Sequence, residues 1–251
     1  MRDSVDGALH RAVGMADMAA LLAAAFRFPE DGSLAGALAD GSFLTDWRAS
    51  LSDACGAEAD EDERLAERCR ELFSGADCEA LRREYSFLFL TPGIDVPVWP
   101  YESCFLHRAS GASGVPSLFR TRCALDVERQ MAEAGVASAS ARTEPVDSVF
   151  LELEFSAFLH ARYGEALRRE GGSADAGGNA SDDADPVLWA QRIMLFAKGH
   201  ALAWLPQFMD EVKEHDRLGA YRAFALLGAR YLDELEADAR MFEAGEERGD
   251  A

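Results

Sequence analysis

The sequence predicts an all-α protein, a compact helical bundle, and three observations carry that prediction. The first is composition: 45 Ala stand against eleven Val, two Ile and four Thr in 251 residues. Helices favour Ala and strands favour β-branched residues. The second is spacing, because apolar residues recur three and four positions apart in stretch after stretch. The third is that no run alternates with period two for long enough to define a strand.

Taken in order, the first core helix carries Met15, Met18, Ala19, Leu22 and Phe26 on one face and is stopped by Pro29. Leu65, Cys69, Leu72 and Phe73 form the next stripe. Cys78, Leu81, Tyr85, Leu88 and Phe89 follow, with Asp77 placed to cap the helix and Pro92-Gly93 to end it. Thr91 to Pro100 holds Pro92, Pro97 and Pro100 around Val96, Val98 and Trp99, the composition of a rigid extended loop. Phe119, Cys123 and Val127 mark a weaker helix from Ser117 to about Gly135. Leu151, Phe155, Phe158 and Leu159 define a strong one from about Asp147 to Arg169.

Gly171 to Pro186 is Gly, Ala, Ser, Asn and Asp without an apolar anchor, so it reads as a flexible surface linker inside a single domain of residues 1–251. Beyond it, Trp189, Ile193, Phe196, Ala197 and His200 share a face, and Pro206 opens the helix that bears Phe208. Tyr221, Phe224, Gly228, Tyr231 and Leu235 form the last stripe. No internal repeat interrupts this order.

Charge narrows the partners. With 45 acidic and 25 basic residues the formal net charge is −20, which repels nucleic acid and anionic lipid and attracts a cationic peptide. The same acidity also serves solubility alone. No segment is long enough to span a bilayer, and Asp3 and Asp6 beside Arg2 and Arg11 leave no basic signal-peptide head, so no stable membrane insertion is expected. Five widely spaced Cys without a Cys-x-x-Cys pair are the usage of reduced thiols in a cytoplasmic protein.

Enzyme signatures are absent. There is no Gly-x-x-x-x-Gly-Lys loop, no Gly-x-Gly-x-x-Gly, no Gly-x-Ser-x-Gly, no His-Glu-x-x-His and no Glu-x-x-His pair. His200, on an apolar stripe, reads as a hydrogen-bonded structural histidine rather than a metal ligand. Glu152 and Glu154 lie near His160, but residues two apart on a helix point apart, and the pair reads equally as a solvated face. The expectation is a binding protein that is not an enzyme and carries no cofactor.

Three blocks carry a more specific signal. The first runs from Glu84-Tyr85-Ser86-Phe87-Leu88-Phe89 to Pro100-Tyr101-Glu102-Ser103. The second is Glu144-Pro145-Val146-Asp147-Ser148 followed by Glu152-Leu153-Glu154-Phe155. The third is Phe196-Ala197-Lys198-Gly199-His200-Ala201-Leu202-Ala203-Trp204-Leu205-Pro206-Gln207-Phe208.

In this order, over about Met15 to Leu235, they resemble the TorD/DmsD family of chaperones for redox enzymes. The resemblance implies an all-helical cytoplasmic chaperone of that type. Its partner would be the precursor of a molybdopterin-containing oxidoreductase, bound by its twin-arginine signal peptide and held until its cofactor is inserted. One position departs: where the family has Asp-His, this chain has Asp147-Ser148.

A receptor for a peptide with a basic head and an apolar body needs carboxylates beside an apolar groove. Trp99, Pro100, Tyr101, Glu102, Asp147, Ser148, Glu152, His200 and Trp204 are the candidates. Trp99 offers apolar area on a stiff loop, and Glu102 and Asp147 offer anions for guanidinium groups. Structural readings stand beside these: Asp147 as the N-cap of its helix, Trp99 and Tyr101 as seals of the core, Trp204 and Phe208 as core. Two other functions remain open, an assembly chaperone of the nitrate-reductase type whose client has no signal peptide, and a helical regulatory or scaffold module.

Overall fold

The computed structural model describes residues 2–56, 59–90, 96–114, 116–139, 143–172 and 185–249. The described residues form helices α1 (Arg2–Phe26), α2 (Ser33–Asp40), α3 (Ser42–Cys55), α4 (Asp60–Leu72), α5 (Cys78–Phe89), α6 (Glu102–Ala109), α7 (Arg122–Glu133) and α8 (Val149–Gly172). After them come α9 (Pro186–Phe196), a π-helical turn (Ala197–Ala201), α10 (Leu202–His215) and α11 (Ala220–Gly249). No strand occurs among the described residues; the sheet-like feature is one isolated antiparallel bridge between Tyr101 and Ser148.

The long helix α1 packs against α3, α8 and α11. Its approach to α3 is close at Gly14, where a Cβ would run into the backbone of Ser50 and Ala54, so this helical position has no room for a side chain. By length and apolar composition Val5–Phe26 would suffice to cross a membrane, which corrects the expectation that no segment is long enough. Its Met15, Met18, Ala19, Leu22 and Phe26 are instead buried in the core. Phe26, Phe43, Phe73, Phe89, Phe208, Tyr221 and Phe224 meet there in mostly edge-to-face contacts, the geometry that ring quadrupoles favour.

Several boundaries differ from expectation. Helices α2 and α3 had no counterpart in the sequence reading, although Phe43, Trp47, Leu51 and Ala54 are buried at helical spacing. Helix α7 begins at Arg122 rather than Ser117, because the Thr121 hydroxyl accepts the Ala124 amide (3.0 Å) and caps it there. Pro206 does not open a helix; it lies inside α10, which follows the π-helical turn without a break. Asp77 does cap α5, accepting the Ala80 amide at 2.7 Å. The expected stop at Pro92-Gly93 and the core of the 171–186 linker lie outside the described residues. At the edges of that linker α8 runs to Gly172 and Asp185 caps α9.

Candidate functional site

The three sequence blocks meet in space. The segment Pro100–Glu102 runs antiparallel to Asp147–Val149, with the Glu102 amide donating to the Asp147 carbonyl (2.8 Å) and the Val149 amide to the Pro100 carbonyl (2.9 Å). This stitch joins the start of α6 to the start of α8. Asp147 reinforces it, because its Oδ2 accepts the Ser103 amide at 3.1 Å. Asp147 therefore caps α6, the neighbouring helix, whereas α8 starts two residues after it. The expectation that it caps its own helix is corrected, since the chain at Asp147 is committed to the bridge.

Behind the stitch lies a buried polar cluster. Glu102 in the first turn of α6 and Glu152 in the first turn of α8 are both buried, as are Asp147, Ser148 and His200. The π-helical turn carries His200 between two acids: Nδ1 is 2.8 Å from Glu102 Oε2 and Nε2 is 3.0 Å from Asp126 Oδ2. The Cys123 thiol donates to the same Glu102 oxygen at 2.6 Å and lies 3.9 Å from His200 Nδ1. One helical turn after His200, the Trp204 indole donates to Glu152 Oε2 at 2.9 Å. π-Helical turns often occur at functional sites.

The electrostatics follow from burial. Burial drives the Glu152 carboxyl well above its ordinary pKa; Glu102 and Asp147 add to the rise, and the Trp204 bond opposes it. Asp147 is likewise raised by burial, against the pull of its Ser103 bonds. Burial lowers the pKa of His200, but its bonds to Glu102 and Asp126 outweigh that and leave it raised. Arg129 and Gln130, with His200, hold Asp126 far below the usual carboxylate range. Burial and then Glu102 push the Cys123 thiol up, so this Cys–His–Glu grouping does the opposite of activating a nucleophile.

Asp147 Oδ1, Glu152 Oε1 and the hydroxyl of Ser148 are buried with no hydrogen-bond partner among the described residues. Such concentration is unusual, since a buried polar atom left unpaired costs about 1–3 kcal/mol.

The candidates named from sequence therefore share one neighbourhood. Tyr101, Glu102, Asp147 and Ser148 form the stitch, Glu152, His200 and Trp204 lie behind it, and Trp99 and Pro100 lead into it. Glu152 is fully buried, which overturns its reading as a solvated face; Glu154 is exposed and paired with Arg27. Trp99 is half-buried against the core, and Trp204 is wholly buried. Asp147 and Glu102 are closed off from solvent, so neither presents a free carboxylate to a guanidinium group.

Cys123 and Asp126 were missed as site residues. Cys123 had been read as part of an apolar stripe, and the spacing of the two, three apart on α7, was the available signal. An open cavity of about 580 Å³ was missed as well. Leu118, Phe119 and Leu125 line it on one side and Pro145 and Val146 on the other, with Arg120 and Glu128 at its polar positions. Leu118, Phe119 and Leu125 are exposed (40%, 46% and 52%), and the cavity adjoins the turn that delivers Asp147.

Residues 48–210 match the family described as "Nitrate reductase delta subunit". That span contains all three sequence blocks. No curated protein matches the chain.

Proposed function

The chain belongs to the nitrate reductase delta subunit family of redox-enzyme maturation chaperones, and from that premise we propose that it holds the catalytic subunit of a molybdopterin-containing oxidoreductase during assembly. The client segment is a short amphipathic helix or extended peptide near that subunit's N-terminus. It docks in the cavity between the residues before α7 and the Pro145–Val146 turn.

The observation that supports this reading is the group of exposed apolar side chains Leu118, Phe119 and Leu125, placed against the turn of the second sequence block. A groove-binding mode uses such an apolar wall for affinity. The net charge of −20 favours a basic segment and speeds its encounter.

A twin-arginine leader is a second form of the same client, favoured by Pro100-Tyr101-Glu102-Ser103 and the Glu144-Pro145 turn. The burial of Asp147 and the presence of Ser148 weigh toward the first form, because no free anion faces outward at the stitch. Affinity purification of the full chain from its native host tests the proposal. An oxidoreductase catalytic subunit recovered as the partner is the expected result, and the sequence of its N-terminus distinguishes a twin-arginine leader from a segment without one. Recovery of no redox-enzyme subunit while the oxidoreductase is being expressed refutes it.

A further inference from the structure

We propose that Glu102, Cys123 and His200 form a binding site for one divalent cation of the zinc class. Three donor types favoured by such an ion, a carboxylate oxygen, a thiolate and an imidazole nitrogen, converge from three separate elements, α6, α7 and the π-helical turn. Their ligating atoms all lie within 4.8 Å of one another.

The existing separations are those of a hydrogen-bonded cluster: 2.6 Å from Cys123 Sγ to Glu102 Oε2, 2.8 Å from His200 Nδ1 to the same oxygen, and 3.9 Å between sulfur and nitrogen. Tetrahedral ligands at roughly 2.0–2.3 Å from zinc stand about 3.3–3.8 Å apart. The sulfur–nitrogen gap already fits, and the Glu102 carboxyl needs to swing by about 1 Å.

Three further observations point the same way. His200 turns its other nitrogen to Asp126 (3.0 Å), the carboxylate–histidine arrangement that orients metal-bound imidazoles. Glu152 Oε1, on a fully buried side chain close to Glu102, has no hydrogen-bond partner and supplies either a fourth ligand or an acceptor for a bound water. Finally, Glu102 and Asp126 flank the imidazole, Asp147 and Glu152 lie near Glu102, and Arg129 pairs with the outer acid, Asp126. A dication beside Glu102 offsets the inner carboxyls and makes the thiolate the stable form of Cys123. The cluster reaches the surface on its α7 side, where Cys123 and Asp126 are both partly exposed. Binding releases the Cys123 proton and the His200 Nδ1 proton to solvent.

The test uses the purified full chain without any client. Titration with Co²⁺, a spectroscopic stand-in for Zn²⁺, is expected to give a thiolate-to-metal charge-transfer band that saturates at one ion per chain. Zn²⁺ should displace it. Cys123→Ser should abolish the band, and Asp126→Asn, at a partly exposed position, should weaken affinity tenfold or more while the band persists.

A measurement on the unaltered protein guards against a variant that fails to fold. Zn²⁺ should slow alkylation of Cys123 at least tenfold while leaving that of exposed Cys55 unchanged, read by peptide mass spectrometry. Absence of the band in the unaltered chain overturns the proposal. So does a band that survives Cys123→Ser, or equal alkylation of Cys123 with and without Zn²⁺.

Discussion

Two regions of this molecule bury charge, and they do so in opposite ways. At one end of the α1–α11 contact, Arg11 donates to Asp238 (2.6 Å), to Glu234 (2.9 Å) and to the carbonyls of Ala54 and Glu234. Arg230 extends the network to Asp62 (2.8 Å) and back to Glu234 (2.6 Å). No buried oxygen of Asp62, Glu234 or Asp238 lacks a partner among the described residues. Around Glu102 and Glu152, by contrast, carboxyls outnumber bases and buried oxygens stay unpaired. The first arrangement fixes how α1 sits on α11, and the second holds unsatisfied ligand atoms in reserve. Arginines pair the acids of the first region, whereas in the second Arg129 pairs with the outer Asp126 and the deeper Glu102 is met by His200.

The largest expected effect tests the satisfied region. Arg11→Ala removes the arginine from Asp238 and leaves Glu234 with Arg230, and should cost about 3–5 kcal/mol in urea unfolding, as breaking a buried pair does. A loss under about 1 kcal/mol would mean that the network is ornamental and the contrast false.

Next comes the indole that serves the unsatisfied region. Trp204→Phe keeps most of the ring packing against Phe105 and Phe208 but removes the only described donor to Glu152 Oε2. It should cost about 1–3 kcal/mol by chemical denaturation. An unchanged midpoint would show that Glu152 finds another partner.

The two regions should also respond to pH with opposite sign. Burial raises the pKa of Glu234, yet its bonds to Arg230 and Arg11 outweigh that and lower it, so its stabilisation is present above an unfolded pKa near 4.5 and is lost as pH falls through the lower folded value. Glu152 is raised, so above about pH 4.5 the unfolded chain releases a proton that the folded chain keeps, and stability falls by up to about 1.4 kcal/mol per pH unit until the folded value is reached. In chelator, Glu152→Gln should flatten the decline that begins above about pH 4.5 while retaining the acceptor for Trp204. A decline of the same slope in both proteins would contradict the upward shift assigned to Glu152.

The smallest effect concerns the boundary of the cavity. Thr121→Ala removes the α7 cap and should cost about 1 kcal/mol, with the added result that Leu118 and Phe119 lose a fixed reference point for their wall. Thermal melting and client affinity of the same variant report the two consequences separately.

How much of this was legible follows the same division. The core stripes of α5, α8 and α11 were readable because each buries apolar residues at helical spacing, and Asp77 announced its cap. Helix α3 was equally periodic, yet its polar residues interleave closely enough with Phe43 and Trp47 to hide it. Position alone could not say that Asp147 caps α6, since the bond to Ser103 spans 44 positions in sequence. Glu152 looked solvated because nothing local reveals that Glu102 of α6 and Trp204 of α10 meet it. The candidate residues came from the three blocks, whereas their meeting in space, Cys123, Asp126 and the cavity came from tertiary packing.

The most direct measurement of the central claim is calorimetric titration of the chain with a peptide covering the N-terminal segment of the partner oxidoreductase subunit. Leu125→Asp serves as the paired variant, because Leu125 is 52% exposed and lines the cavity. The account predicts binding at least tenfold weaker in the variant with an unchanged melting temperature. It also predicts weaker binding to the unaltered chain as salt rises, since the acidic surface is screened. Equal affinity for both proteins at low and high salt would contradict it and move client recognition away from this cavity.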